Sequence, residues 1–344
     1  MTILNVAYPF APVSLDAIGG AEQILAMIDR GLVASGMESI VLAAQGSRTS
    51  GALYDLAVSS TIDNQTRART YEAYVATIAK ALSDRKIDLV HMHGVDFSQY
   101  IPSTELPMLV TLHLPLEYYS ESALTPRDHT VFNAVSEWQW RRCPQHIRTE
   151  LVANGIDINQ LYPLPEKENF VFVLGRICPE KGFHLALDAA VLSGMSCIVA
   201  GLVYGYAEHQ RYFNEQILPR LDSKRRFIGP VGGALKRRLL AAAKCVLIPS
   251  LVAETSSLVA MEALASGTPV IAFRSGALVE IVSNEMTGFL VSHIDEMAGA
   301  IRRVDQIDPR ECRRDACNRF SSEVMVSKYL RLYKLLIEGE RPLH

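Results

Sequence analysis

Phe170-Val171-Phe172-Val173-Leu174-Gly175-Arg176-Ile177-Cys178-Pro179-Glu180-Lys181-Gly182 is a run of five apolar residues followed by a loop bounded by two glycines. Short apolar runs of this kind read as strands buried on both faces, and the segment Phe183–Leu192 that follows reads as a helix. A helix opening directly from a strand turns its free amides and positive dipole end toward the connecting loop, which makes the loop a seat for an anion. Arg176 and Lys181 add two fixed positive charges there, a match for the charges of a diphosphate. On its own, the same loop would also suit ordinary surface cations.

A second segment has the same form. After the strand Val246–Ile248 the chain runs Pro249-Ser250-Leu251-Val252-Ala253-Glu254-Thr255-Ser256-Ser257 and enters the helix Leu258–Ala265. Glu254 falls in the loop and Glu262 in the helix. Carboxylates accept hydrogen bonds from vicinal hydroxyls, while amides at a helix start hold an anion, so together they suit a ligand bearing both. The spacing of the two glutamates is common and carries little weight alone.

Outward from these segments the pattern is strand alternating with helix, the signature of parallel α/β structure. Strands are expected at Ile3–Ala7, Ser39–Ala43, Leu89–Met92, Met108–Leu112, Val131–Val135 and Thr149–Val152, with helices at Gly20–Ala34 and Thr70–Leu82. Further strands are expected at Phe170–Leu174, Cys197–Ala200, Arg226–Ile228, Val246–Ile248 and Val270–Ala272. Helices are expected at Leu235–Lys244, Ile294–Val304 and, at the end, Ser321–Glu338. The proline-rich, polar stretch Asn154–Asn169 separates two such series and is read as a linker. Both halves therefore read as doubly wound, with ligands beyond the carboxyl ends of their strands.

Composition narrows the function classes. The 344 residues fit roughly two domains at about 150 each. With 49% hydrophobic residues there is apolar material for two cores, which argues against disorder. A formal charge of −3 lacks the basic excess of a dedicated nucleic-acid binder. No apolar run is long enough to span a bilayer. The N-terminus has no basic segment, and Pro9 and Pro12 break its first apolar stretch, so a signal peptide is not expected. The six cysteines are scattered without a CxxC pair, which points to reduced structural thiols and against a zinc site. His91 and His93 lie on one strand face without a third partner and read as structural. Trp138 and Trp140 read as packing residues beside Arg141 and Arg142, and Lys236-Arg237-Arg238 as a solvated helix face. Walker A, GxGxxG, GxSxG and HExxH motifs are all missing.

Taken together, GRxxPEKG and, about 70 residues later, PS…E-x7-EALA-x-G-x-PVIA resemble the retaining glycosyltransferases of family 4, in the glycogen-synthase-like superfamily. The resemblance runs over most of the chain. It takes in Gly19-Gly20-Ala21-Glu22, His91-Met92-His93-Gly94, Thr111-Leu112-His113, Asn154-Gly155-Ile156-Asp157, the Gly276 to Val282 stretch and Thr287-Gly288. It implies an α/β GT-B fold, two doubly wound Rossmann-like domains facing across a cleft. The expected division is 1–155 as acceptor-binding domain, 156–322 as nucleotide-sugar-binding domain, and 323–344 as a helix crossing back to the first.

The resemblance also implies roles. Arg176 and Lys181 would hold the diphosphate and stabilise it as leaving group, Glu262 would bind the ribose hydroxyls, and Glu254 would face the donor sugar. Thr255, Ser256, Ser257 and Leu258 would line the donor site, His113 would approach the sugar, and the Gly19-Gly20 loop would let backbone come close to phosphate or acceptor. Preorganised cations and amides would lower the barrier to sugar–phosphate cleavage, so no metal or other cofactor is expected. The implied donor is a UDP-sugar and the implied acceptor a small molecule, a glycan or a lipid-linked molecule. No nucleic-acid partner is expected. The implied setting is cytoplasmic, with peripheral contact at the inner face of a membrane left open. Three positions depart from the family pattern: Ser256 and Ser257 stand where an aromatic or small residue and a glycine are usual, and Ala277 replaces a second glycine. They bear on the identity of the sugar. A sugar phosphorylase or nucleotide-sugar epimerase on the same fold is the nearest rival. A silent nucleotide-sugar-binding subunit is the rival from another class.

Overall fold

The computed structural model describes residues 1–58, 63–164 and 166–340. Pro165 of the expected linker and residues 341–344 of the expected final helix lie outside the described residues. The chain divides into two compact units, Met1–Asn154 with Ser322–His344, and Gly155–Ser321.

In the first unit the strands are β1 (Thr2–Val6), β2 (Glu38–Ala44), β3 (Ala52–Leu56), β4 (Leu89–Met92), β5 (Met108–Leu112), β6 (Thr130–Ala134) and β7 (Thr149–Leu151). Its helices are α1 (Gly20–Ala34), α2 (Asn64–Asp84) and the single turn α3 (Glu137–Trp140). The sheet is parallel throughout, in the order β3-β2-β1-β4-β5-β6-β7. In the second unit the strands are β8 (Phe170–Leu174), β9 (Ser196–Ala200), β10 (Arg225–Phe227), β11 (Cys245–Ile248), β12 (Val270–Phe273) and β13 (Gly288–Val291). The helices are α4 (Phe183–Ser193), α5 (Ala207–Tyr212), α6 (Gly233–Ala242), α7 (Leu258–Ala265), α8 (Leu278–Ile281), α9 (Ile294–Arg303) and α10 (Pro309–Arg319). Again all pairs are parallel, in the order β10-β9-β8-β11-β12-β13. A final helix, α11 (Ser322–Ile337), belongs to the first unit. Two parallel, helix-flanked sheets of Rossmann order make this a GT-B fold, as expected.

Elements that escape the sequence pattern do so for physical reasons. β3 is an edge strand whose residues are exposed or half-buried, so it carries no apolar run. α2 starts at Asn64 and not Thr70, because the Asp63 carboxylate accepts from Thr66 N at 2.7 Å and caps the helix upstream of its apolar stripe. α10 is strongly polar and announces itself only by its N-terminal chemistry, Asp308 capping Arg310 N ahead of Pro309.

The first unit has a buried polar seam beneath α11. His91 of β4, Thr111 of β5 and Asn133 of β6 are all fully buried. His91 Nδ1 bonds Tyr333 Oη at 2.7 Å and its Nε2 bonds Thr111 Oγ1 at 2.7 Å. Asn133 Nδ2 donates to Tyr329 Oη at 3.0 Å. Both tyrosines are buried on α11, so the helix is held by apolar rings whose hydroxyls find fixed partners on three adjacent strands. This bears out a structural reading of His91. Beside it His93 Nδ1 meets His113 Nε2 at 3.0 Å with the rings stacked. Burial drives all three imidazoles toward the neutral form, His91 and His93 well below the usual range and His113 to about 3.

Two outcomes follow for stability. Tyr333→Phe should cost about 1–3 kcal/mol in urea unfolding, the price of leaving His91 Nδ1 buried without a partner. The histidines also set a pH dependence. They stay neutral in the fold but protonate near 6.5 when unfolded, so their contribution is complete above about pH 6.5 and is lost as pH falls below it. Unfolding free energy should drop between about pH 6.5 and 5 by up to about 1.4 kcal/mol per pH unit for each histidine. His113→Gln should make that slope shallower by one proton, and an unchanged slope would show that His113 titrates normally.

Candidate active site

The strand order of the second unit reverses between β8 and β11, its two central strands. At such a switch point the loops leaving adjacent strands diverge and open a crevice at their carboxyl ends. The loops after β8 and β11 are the two segments singled out in the sequence. They are stitched together, Leu251 N donating to Glu180 O at 2.8 Å.

Side chains complete the junction. Lys181 sits in a short 3-10 turn, Pro179–Lys181, and its Nζ lies 2.5 Å from Glu254 Oε1. Ser250 Oγ donates to the same carboxylate oxygen. Glu254 is 9% exposed while the Lys181 side chain is 24% exposed, so the carboxylate end of the pair is nearly buried and the ammonium keeps some access to solvent. Arg176 is exposed on the first loop. One turn into α7, Glu262 is 8% exposed, with Oε1 held by Lys236 Nζ at 2.7 Å. Its other oxygen, Oε2, is buried without a hydrogen-bond partner, and so is Ser256 Oγ. Buried polar atoms are normally paired, so these two are unmet valences of the junction.

The pairing of Lys236 corrects one expectation. The Lys236-Arg237-Arg238 run is not simply a solvated face, because Lys236 on α6 reaches the buried Glu262 on α7. Nothing linear links residues 26 positions apart, so only the fold could reveal the contact. The departures from the family pattern also acquire reasons. Ser257 Oγ caps α7 by accepting from Ala260 N at 3.3 Å, so its hydroxyl is engaged at the helix start. Ala277 has φ −65°, which needs no glycine, and its N–H donates to Glu254 O at 2.7 Å. Thr255 is buried, and Leu258 opens α7.

Gly19, Gly20 and His113 belong to the first unit, whose sheet has its own switch point between β1 and β4. Gly19 is the N-cap of α1, and a Cβ there would fall 1.8 Å from Glu22 Oε2. The glycine thus makes room for a buried acid within its own helix turn.

Beside the second unit's junction lies a cluster the sequence did not announce. Cys178, Glu180 and His209 bring a sulfur, a carboxylate oxygen and a ring nitrogen within 4.8 Å of one another. Burial pushes the Cys178 thiol up to about 11.

Residues 157–319 match the family described as Glycosyl transferases group 1. An uncharacterised glycosyltransferase from Methanocaldococcus jannaschii is 24% identical over 70% of this chain, and the match spans only 63% of that relative's length. A phosphatidyl-myo-inositol mannosyltransferase from Mycobacterium leprae is 25% identical, covering 94% of this chain and 95% of that one. Among solved structures, a sucrose-phosphate synthase from Thermosynechococcus elongatus superposes with a TM-score of 0.82 at 20% identity, over 99% of this chain and 100% of that one. Anabaena HepE in complex with UDP-glucose does so with 0.75 at 20% identity, over 97% and 99%. The chain is related to the group 1 glycosyl transferases over its second unit and shares the GT-B fold along its length. No helix among the described residues is long and apolar enough to cross a membrane.

The junction has a built-in steric check. Gly276 has φ +58°, and a Cβ would lie 2.2 Å from Glu254 O. Gly276→Ala should therefore lower the unfolding free energy by more than about 1 kcal/mol, through strain and displacement of the Glu254 peptide. A urea titration with an unchanged midpoint would refute this packing.

Proposed function

We propose that the chain transfers a sugar from a nucleoside-diphosphate sugar to an acceptor hydroxyl, with retention of configuration. The observation that carries the reading is Glu262. It is a buried carboxylate at a switch point, with one oxygen held by Lys236 and the other free to accept from hydroxyls, as a ribose requires.

In this reading the nucleotide lies across the ends of β8 and β11. The ribose hydroxyls bond Glu262 Oε2, and the diphosphate meets Arg176, Lys181 and the amides at the start of α7. Lys181 has three N–H donors, so it can keep Glu254 while adding a phosphate oxygen. Glu254, anchored by Ser250 and Lys181, then faces the sugar. As the sugar–phosphate bond lengthens, negative charge grows on the leaving diphosphate, and fixed cations and amides stabilise it without reorganising. That electrostatic role is assigned to the protein's own groups, without a divalent metal. His113 is neutral at physiological pH, so its part is that of a hydrogen-bonding group and not of a charged acid. UDP is the expected nucleotide, in line with the neighbour solved with UDP-glucose.

A calorimetric panel of UDP, GDP, ADP and their sugar conjugates, with EDTA present, tests the donor site. One diphosphate should bind clearly. Lys181→Ala should weaken it by about 1.5–3 kcal/mol, the value of a hydrogen bond to a charged group. Glu262→Ala should weaken nucleoside and nucleotide alike. Absence of binding by every nucleotide would remove the reading and bring sugar phosphates forward. An effect of Glu262→Ala confined to the sugar conjugates would displace it from the ribose.

A further inference from the structure

The cluster beside the phosphate loop has the chemistry of a metal site. Cys178 is the N-cap of the 3-10 turn that carries Lys181, Glu180 lies inside that turn, and His209 sits on α5, in the connection after β9. Two loops from neighbouring strands therefore meet through these three side chains. Their polar atoms are poorly served by the protein. His209 Nδ1 and Glu180 Oε2 are both buried without a hydrogen-bond partner, and Cys178 Sγ has a long contact to Arg176 O at 3.6 Å. Two buried polar atoms left without a hydrogen-bond partner beside one thiol are costly, and a bound cation would satisfy both.

We propose that Cys178, Glu180 and His209 bind a thiophilic divalent cation of the zinc type, with its fourth position open to water. A thiolate, an imidazole and a carboxylate form a donor set suited to zinc, whereas calcium and magnesium favour all-oxygen shells. A tetrahedral ion with bonds of about 2.0–2.3 Å holds its donors about 3.3–3.8 Å apart. Donors already within 4.8 Å reach that spacing by small side-chain rotations, without moving the strands. Binding converts the thiol to thiolate and releases its proton to solvent. The ion would sit next to the anion loop and tie it to α5, fixing the turn from which Lys181 projects. It is thus a positioning element, separate from the charges assigned to the diphosphate. The inference depends on no part of the glycosyl-transfer reading, because it concerns the nucleotide-free protein.

The experiment strips the full chain with EDTA, removes the chelator, and titrates zinc chloride alone against a chromophoric competitor. One equivalent should bind, and the thermal midpoint should rise with free zinc, as for any ligand that binds only the folded state. Cobalt in place of zinc should give the ultraviolet thiolate-to-metal charge-transfer band and the intense visible bands of a tetrahedral ion. Cys178→Ser and His209→Gln should each weaken zinc at least about tenfold, since losing even a supporting residue of a metal site costs that much. Cys143→Ser and Cys317→Ser, at the two partly exposed cysteines, should leave affinity unchanged. If Cys178→Ser unfolds, His209→Gln and Glu180→Gln carry the test. Absence of stoichiometric zinc binding by the folded protein would overturn the site. So would affinity that survives both Cys178→Ser and His209→Gln, or a cobalt spectrum without the thiolate band.

Discussion

The reversal of strand order between β8 and β11 is the constraint on which the second unit turns. Chain leaving the two strands must depart in opposite directions, because each crossover follows its own side of the sheet. The ends of two central strands are left uncovered by any connection of their own. Apolar packing cannot fill that gap without hiding backbone amides, so the sequence lines it with polar groups that satisfy one another across it. Lys181 and Glu254 come from opposite sides of the reversal and meet within 2.5 Å. Lys236 and Glu262 repeat the device one element further on. Removing either lysine would strand a nearly buried carboxylate, which costs more than forming the pair gains. These pairs thus hold divergent loops in one arrangement while leaving specific valences unmet.

In the first unit polar atoms play a different part. The seam of His91, Thr111, Asn133, Tyr329 and Tyr333 is fully buried and mutually satisfied apart from the histidines' further neighbour, His93, whose Nε2 has no partner. An apolar face alone would let α11 slide or rotate on the sheet. Hydroxyls that must land on particular strand residues remove that freedom, and low local dielectric strengthens each bond. The two units therefore use buried polarity to opposite ends, closure in one and readiness in the other.

What the sequence made legible follows from what each element needs. β8 and β11 are central strands, buried on both faces, so they appear as uninterrupted apolar runs. Their loops carry glycine, proline and charge in an order that few other contexts demand. The edge strand β3 and the polar helix α10 need no apolar run, so periodicity had nothing to detect there, although Asp308-Pro309 was a usable start signal. Arg176, Lys181, Glu254 and Glu262 could be nominated from local order. Their partners Ser250 and Lys236 could not all be. Ser250 is near enough to Glu254 in sequence to be guessed, whereas Lys236 and His209 come from other strands' connections and exist as neighbours only after the sheet has ordered them.

Ser256, Ser257 and Ala277 depart from the pattern that the two loops otherwise resemble, and the frame of the junction survives all three. Glycine at position 257 would supply a bare amide at the start of α7. Serine keeps the amides and spends its hydroxyl on capping Ala260 N, so helix geometry survives and the side chain is tethered. Ala277 adopts ordinary helical backbone, and its N–H still fixes Glu254 O, so a second glycine adjacent to Gly276 would only loosen that contact. Ser256 differs from both. Its hydroxyl is buried with no protein partner, directly between the loop that holds Glu254 and the helix that holds Glu262. Of the three departures it alone presents an unmet hydrogen-bonding group. Under the proposed donor binding, a ligand that reaches Ser256 without a matching polar group would leave that hydroxyl desolvated and unpaired, so this position is where the departure from the pattern would act on ligand choice.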